Sequence, residues 1–372
     1  MTRQLKFRLF AHSWISDWNH GNAHFLRGLA RELVRLGHEV RCYEEIGSWS
    51  VSNLLREEGE KARAALQQFW LTFSELDVRF YRNDENFREF AKNELQNADI
   101  VVIHEWNAPE VVNTILSLKR RMGFRVLLHD THHRAYSNPG EILRFRLQLF
   151  DGVLAFGEAI RRIYVEGFGM QRGWIFHEAA DTSNFRPLSI EKNTDVVWMG
   201  NWGDDERTRE LQEFLIEPAA AMPELKLMVH GVRYPDTARA ALRGAGIEFG
   251  GYLPNLLAPQ VYGASAVTLH VPRRPYTNGL SGIPTIRVFE ALACGIPLLC
   301  SPWTDTEGLF RPGEDYLCVA DGHAMKAELR RLLADDAARQ QLGMCGLRTI
   351  QDRHTCTHRA HELLEICEEL GK

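Results

Sequence analysis

The sequence predicts an α/β protein built from two consecutive doubly wound parallel sheets. Three observations carry that reading. Short apolar runs alternate with helical patterns along most of the chain, as expected of strands buried on both faces by crossover helices. The alternation pauses around "NFRPLSIEKNTD" and restarts at Asp195. At 372 residues the chain is long enough for two cores of ordinary size.

In the first series "KFRLFAH" reads as a strand, and "NAHFLRGLARELVRLGH" as a helix with Phe25, Leu26, Leu29, Leu33 and Leu36 at helical spacing. "EVRCYEE" is the next strand. A helical stretch around Leu54 to Phe73 leads to the strands "ADIVVIHEW" and "FRVLLHD", separated by a helix, and then to "DGVLAFG" and "GWIFHEA". The second series has the strands "DVVWMGNW", "LKLMVHG", "GIEFGGYLP", "AVTLHVP", "IPLLCSP" and "DYLCVAD", with helices such as "ERTRELQEFLIEPAA" between them. The expected partition is 1–190, 191–355 and a last helix over 356–372 that packs back on the first domain.

Composition bounds the function. A hydrophobic fraction of 45% with 25% charged residues belongs to a soluble globular protein. The net charge of -5 gives no electrostatic reason to expect nucleic acid as a partner. "MTRQLKFRLF" lacks the apolar run of a signal peptide, and no window nears the roughly 20 apolar residues of a membrane span. Seven cysteines without a CxxC pair argue for a reducing compartment. A cytoplasmic protein is expected, with peripheral membrane contact and oligomeric state left open.

Ligands of open parallel sheets collect at the carboxyl ends of strands, and those ends are rich in polar residues here. They read "AHSWISDWNHGN", "HEWN", "HDTHH", "GNWGDDER" and "HVPRRPYTNG". Histidine recurs there as His12, His104, His129, His230 and His270. One such histidine is usually structural; five at one topological position predict a polar cleft. "HDTHH" supplies His129, Asp130, His132 and His133, but so tight a loop rarely aims every ligand at one ion. "HTCTHRAH" puts His354, His358 and His361 on one predicted helical face. No metal is expected at either place.

The segment "SGIPTIRVFEALACGIPLLCSP" reads as a short helix and a buried strand, with Pro284 suited to the first helical position and Gly295 to the position past the end. Arg287 and Glu290 stand three residues apart on an otherwise apolar helix. Two readings are open. One is an i,i+3 ion pair of a few tenths of a kcal/mol. The other is a ligand-facing helix: its start, with Gly282 and Thr285, receives a phosphate, while Glu290 accepts hydrogen bonds from a ribose. Arg287 would then hold the phosphate or brace Glu290.

"PTIRVFEALACGIPLL" resembles the C-terminal signature of GT-B glycosyltransferases, and more narrowly that of the family-4-like and spore-maturation-type (CgeB-like) enzymes. "DWNHGNAHFLRGLARELVRLGHEVRCYE" resembles the first loop, helix and strand of their N-terminal domain. "DTSNFRPL" resembles the interdomain stretch, and "DVVWMGNWGDDER" the opening of the nucleotide domain. The resemblance covers most of the chain in order. It implies two facing Rossmann-like domains, with a sugar nucleotide bound mainly by the second and an unidentified acceptor by the first, in polysaccharide or glycoconjugate synthesis.

Carried over by position, Glu290 binds the ribose, Gly282 to Thr285 receive the diphosphate, and Gly21 approaches it from the first domain. His129 faces the donor sugar. Arg207 is the candidate phosphate clamp, beside Asn201, with Arg273 and Arg274 as seconds. His129 and Asp130 form the candidate catalytic pair; His12, Trp14, His104 and Glu105 are the acceptor candidates. Trp14, Trp18 and Trp106 either stack on sugar rings or pack in the core. Many retaining members carry a second glutamate about two helical turns upstream, where this chain has Gly282.

The implied chemistry is hexosyl transfer without metal or cofactor, because oriented N–H groups and an arginine can stabilise the departing diphosphate. Retention is the favoured outcome, with His129 positioning; inversion would need a base such as Asp130 or His12. Two other readings stand beside it: a sugar-nucleotide epimerase of the same fold, and a non-catalytic nucleotide-sugar-binding protein.

Overall fold

A computed structural model describes residues 3–371. The chain divides into two compact units, residues 3–178 with 356–371, and residues 179–355. The first unit holds a seven-stranded parallel sheet in the order β3-β2-β1-β4-β5-β6-β7. Its strands are β1 (Lys6–Phe10), β2 (Glu39–Glu45), β3 (Asp77–Tyr81), β4 (Ile100–His104), β5 (Arg125–Asp130), β6 (Gly152–Ala155) and β7 (Gly173–Ile175). The second unit holds six parallel strands in the order β10-β9-β8-β11-β12-β13. These are β8 (Thr194–Met199), β9 (Leu227–His230), β10 (Glu248–Gly251), β11 (Ser265–His270), β12 (Leu298–Cys300) and β13 (Leu317–Cys318). Each sheet reverses its strand order once, between β1 and β4 and between β8 and β11. Those are the places where a doubly wound sheet opens a crevice at its carboxyl edge.

Burial follows the sequence pattern. "IVVIH" of β4 is buried at every position because helices cover both faces of the sheet. The helix Ala23–Arg35 is buried from Ala23 to Leu33, since the sheet lies on one side and the helix Cys356–Glu369 on the other. Thr357 Oγ1 donates to Glu32 at 3.1 Å across that helix pair. Leu36, assigned to the apolar stripe by spacing, lies past the helix end and is exposed.

Several expectations need correction. The strand β3 escaped the pattern because it is an edge strand whose residues, apart from Tyr81, are exposed or half-buried. The helical stretch before it is two helices, Trp49–Glu58 and Glu60–Thr72, broken at Gly59 with φ 53°. "DTSNFRPL" joins the second unit rather than ending the first. Ala180 N–H donates to His354 C=O at 2.9 Å, Phe185 is fully buried, and Asp181 accepts from the amides of Ser183 and Asn184 side chain, so the segment is sewn to the end of residues 179–355. His354 precedes the last helix instead of sharing its face; its Nε2 lies 2.9 Å from Leu309 C=O, and its ring packs on Phe289 and Phe310. Among the described residues no helix is long and apolar enough to cross a membrane.

Candidate active site

In the second unit the crevice lies where β8 and β11 end. β8 runs into "GNWGDDER", whose glycines make room for one arginine. Gly203 has a left-handed backbone (φ 82°), and a Cβ there would lie 2.6 Å from Nε and 2.7 Å from Cγ of Arg207. A Cβ on Gly200 would lie 2.7 Å from Cζ2 of Trp198. Arg207 is thereby threaded past Gly203 and over the Trp198 ring, 5.1 Å from its centroid. Its terminal nitrogens donate to Val271 C=O at 3.1 Å and to Asn201 C=O. Two of its five donors are thus used, and the buried Nε meets no acceptor.

The other arginines around this loop are neutralised. Arg273 pairs with Glu206, Arg274 with Glu210 at 2.9 Å, and Arg287 with Glu290. Arg207 makes no ion pair among the described residues. Burial, followed by the nearby positive charge of Arg273 and Arg287, pushes its pKa down to about 9. It therefore still carries its charge at neutral pH, in a place that lacks one negative group.

β11 ends in His270, whose Nε2 is 3.0 Å from Thr285 Oγ1. Burial first, then the Arg207 charge, lowers this imidazole to about 3, so it is neutral. Thr285 precedes the helix Ile286–Ala293 and makes no side-chain cap. Its hydroxyl is turned to His270 instead, and at the opening of that helix only its C=O takes part, accepting from Val288 N–H at 3.0 Å. The helix begins at Ile286, after Pro284. Gly282 is a turn glycine (φ 87°) whose N–H already donates to Thr304 C=O at 3.0 Å. Its amide is therefore spent, which corrects the expectation that it receives a phosphate.

Glu290 is fully buried. Its Oε1 accepts from Asn255 Nδ2 at 2.8 Å and its Oε2 from Arg287, so the i,i+3 pair is formed. A carboxylate has about four lone-pair sites, so it can accept from several donors at once. Asn255 was not singled out from the sequence; nothing in "YLPNLL" marks it. Asn201 ties two loops together, accepting from Val232 N–H at 3.2 Å.

In the first unit the crevice residues follow β1, β4 and β5. Four imidazoles form a row: His20 to His12 at 3.9 Å between ring centroids, His12 to His104 at 5.6 Å, and His104 to His129 at 5.6 Å. Burial lowers His12 and His129 to about 3, and His20 and His104 well below the usual value, so the row is uncharged. His129 is wedged edge-on between Phe25 and Phe176, and its buried Nε2 has no hydrogen-bond partner. His104 Nε2 lies 2.9 Å from Thr131 Oγ1 and 3.1 Å from Glu105 Oε2. Burial, then the Asp130 charge, raises Glu105 well above the usual carboxylate range. Among the described residues no group of three or more His, Cys, Asp or Glu is arranged to hold a metal ion.

Asp130 is anchored at both oxygens. Oδ1 accepts from His132 N–H at 2.9 Å and Oδ2 from Tyr164 O–H at 2.6 Å, while burial lifts its pKa to about 6. Tyr164 carried no sequence signal. Gly21 lies in a turn before the helix Ala23–Arg35, next to Asn22, whose side chain donates to Thr131 C=O at 3.3 Å.

Trp14 is corrected to a core residue. It is buried, with its indole N–H on Tyr43 C=O at 3.1 Å, because Glu44 draws the loop inward by accepting from the Trp14 and Ile15 amides and the Ser13 and Ser48 hydroxyls. Trp18 is buried too, whereas Trp106 is 41% exposed.

Two Rossmann-like sheets, each with polar groups gathered at its switch point, define a fold of the GT-B glycosyltransferase type. Residues 207–365 match the family model described as "Glycosyl transferase-like". No curated protein sequence matches the chain. Among solved structures it is similar to a glycosyltransferase from Rickettsia africae (11% identity, TM-score 0.69, 100% of both chains). It is similar also to sucrose-phosphate synthase from Thermosynechococcus elongatus (15%, 0.70, 99% of both). A third is the Anabaena protein HepE, solved with UDP and glucose (12%, 0.71, 98% of this chain and 100% of that one). The likeness to these structures is one of fold, and the family match is confined to residues 207–365.

Proposed function

We propose that this protein transfers a hexose from a nucleoside-diphosphate sugar to an acceptor hydroxyl, without a metal ion and with retention of configuration. We assign it to the family-4-like, spore-maturation-type (CgeB-like) group, acting in the cytoplasm. The observation that carries the reading is Arg207, a guanidinium without a carboxylate partner held beside the uncapped start of the helix Ile286–Ala293. A diphosphate supplies the missing negative charge and accepts both sets of N–H groups. Glu290, held by Asn255 and Arg287, then accepts from the ribose hydroxyls. The structural neighbour that holds UDP and glucose supports a UDP-hexose as donor.

In the reaction the bond from the anomeric carbon to the phosphate oxygen breaks as its electron pair passes to the diphosphate. Arg207 and the helix N–H groups stabilise that charge. The acceptor oxygen attacks from the face the diphosphate leaves, and its proton passes to the departing phosphate oxygen. The unpartnered Nε2 of neutral His129 is suited to hold a sugar hydroxyl. Retention is supported by the candidate bases of an inverting route: Asp130 has both oxygens engaged, and His12, near 3, is too weak a base at neutral pH.

The test is a thermal-shift comparison of UDP, GDP, TDP and ADP on wild type and Arg207→Ala, followed by turnover of the matching sugar nucleotides. UDP should stabilise the wild type most, and the variant should lose that stabilisation. Equal stabilisation of both proteins overturns the site assignment. A sugar altered while still attached to its nucleotide, with no acceptor present, identifies an epimerase instead. No response to any nucleotide favours a non-catalytic protein.

A further inference from the structure

At the carboxyl edge of its sheet the first unit carries an exposed aromatic side chain that the donor reading leaves unused. Trp106 follows β4, directly after Glu105, and is 41% exposed although its neighbours Glu105 and Asn107 are buried. Its indole is fixed in place. The Arg134 guanidinium lies over the ring with Cζ 4.1 Å from the centroid, and one of its terminal nitrogens donates to Glu105 C=O. His132 meets the ring edge-on at 5.1 Å and His12 lies tilted at 6.2 Å. Such an exposed indole, backed by a cation and rimmed by imidazoles, is a rigid flat surface ordered before any ligand arrives.

We propose that Trp106 is the acceptor platform, and that the acceptor is a saccharide whose pyranose ring stacks on the face of the indole turned away from Arg134. The inference rests on the glycosyl-transfer reading for its meaning and deepens it by naming the substrate class. A pyranose is two-faced in the same way as this surface. Its axial C–H bonds form an apolar patch that fits an electron-rich indole, and its equatorial hydroxyls point outward to hydrogen-bonding groups. The half-buried His132 and Arg134 supply the polar groups beside the ring. An unstacked nucleobase would also lie flat on an indole. Charge argues against it, because the chain carries -5 and the nearby Arg134 charge acts on the buried carboxyl groups of Glu105 and Asp130. Arg134 is then a positioning residue, acting through Trp106.

The experiment measures saccharide binding directly, by calorimetry with glucose, galactose, maltose and cellobiose, on wild type, Trp106→Ala and Trp106→Phe. Transfer from UDP-glucose to the same sugars is followed in parallel. At least one sugar should bind the wild type in the millimolar range or tighter. Trp106→Ala should weaken it tenfold or more, and Trp106→Phe less than fivefold. The acceptor KM should rise in Trp106→Ala while stabilisation by UDP stays within twofold of wild type; a misfolded variant would lose that too. The inference is overturned if no sugar binds the wild type, if Trp106→Ala binds as well as wild type, or if single-stranded DNA proves to be the ligand that Trp106→Ala loses. If sugars bind through Trp106 but no sugar nucleotide is turned over, the inference stands and the glycosyl-transfer reading falls.

Discussion

Gly203→Ala is the sharpest perturbation of Arg207, because it touches the arginine without removing it. The glycine has φ 82°, ψ 13°, a left-handed conformation that costs an L-residue about 1–2 kcal/mol. The added Cβ would also stand 2.6 Å from Nε and 2.7 Å from Cγ of Arg207. Arg207 cannot swing its far end away freely, since Val271 C=O, Asn201 C=O and the Trp198 ring hold it. Strain and displacement together should destabilise by about 2–3 kcal/mol, which lowers the melting temperature by roughly 4–10 °C. Losing a charged hydrogen bond to a phosphate should weaken UDP binding by a factor of about ten to a hundred. Arg207→Ala should cause the same loss of UDP affinity with a smaller loss of stability, because it leaves the glycine unstrained. Binding measured by calorimetry on both single variants and the double variant closes a cycle. If glycine and arginine act on the same phosphate, the double variant binds UDP no worse than Arg207→Ala. Additive losses, or a Gly203→Ala protein with wild-type UDP affinity, would refute the argument.

Other outcomes follow from the same contacts. The buried imidazoles His129 and His270 have pKa values near 3, below the 6.5 of an unfolded chain. Below pH 6.5 the unfolded chain therefore binds protons that the folded chain does not, and each histidine removes about 1.4 kcal/mol of stability per pH unit as pH falls towards 3. Urea midpoints at pH 7.5, 6.0 and 5.0 should fall in that order, beginning above the carboxylate range. Asp130, raised to about 6, acts in the opposite sense and should leave the trend blunted but not reversed. Midpoints flat from pH 7.5 to 5.0 would contradict the buried neutral imidazoles. Trp14→Ala should lower stability by about 3–5 kcal/mol, as for a core tryptophan, and should change acceptor KM far less than Trp106→Ala does. Glu290→Gln removes the charge facing Arg287 but keeps the shape; UDP affinity should fall several-fold, and unchanged affinity in calorimetry would remove Glu290 from the ribose contact.

The contrast between Trp14 and Trp106 shows where sequence reading of this chain stops. Both follow strands at the carboxyl edge, and the sequence reading named Trp14, not Trp106, among the acceptor candidates. What separates them is Glu44, a buried carboxylate at the end of β2 that collects the amides and hydroxyls of the loop carrying Trp14 and pulls the indole under it. That hydrogen-bond network joins residues about 30 positions apart and leaves no periodic trace. The same holds for Tyr164 on Asp130 and Asn255 on Glu290, each a single contact spanning more than 30 positions. Where the information is local, the sequence was legible. Period-two and period-3.6 patterns located twelve of the thirteen strands among the described residues, failing at β3, where edge exposure erases the apolar run. The helix carrying Arg287 and Glu290 was also found, because a proline and a glycine bracket it. Of the two readings posed for it, the ion pair is formed. Glu290 is buried at no exposure and would be a costly lone charge without Arg287 and Asn255. The pair, with Asn255, is what permits a carboxylate to stand there.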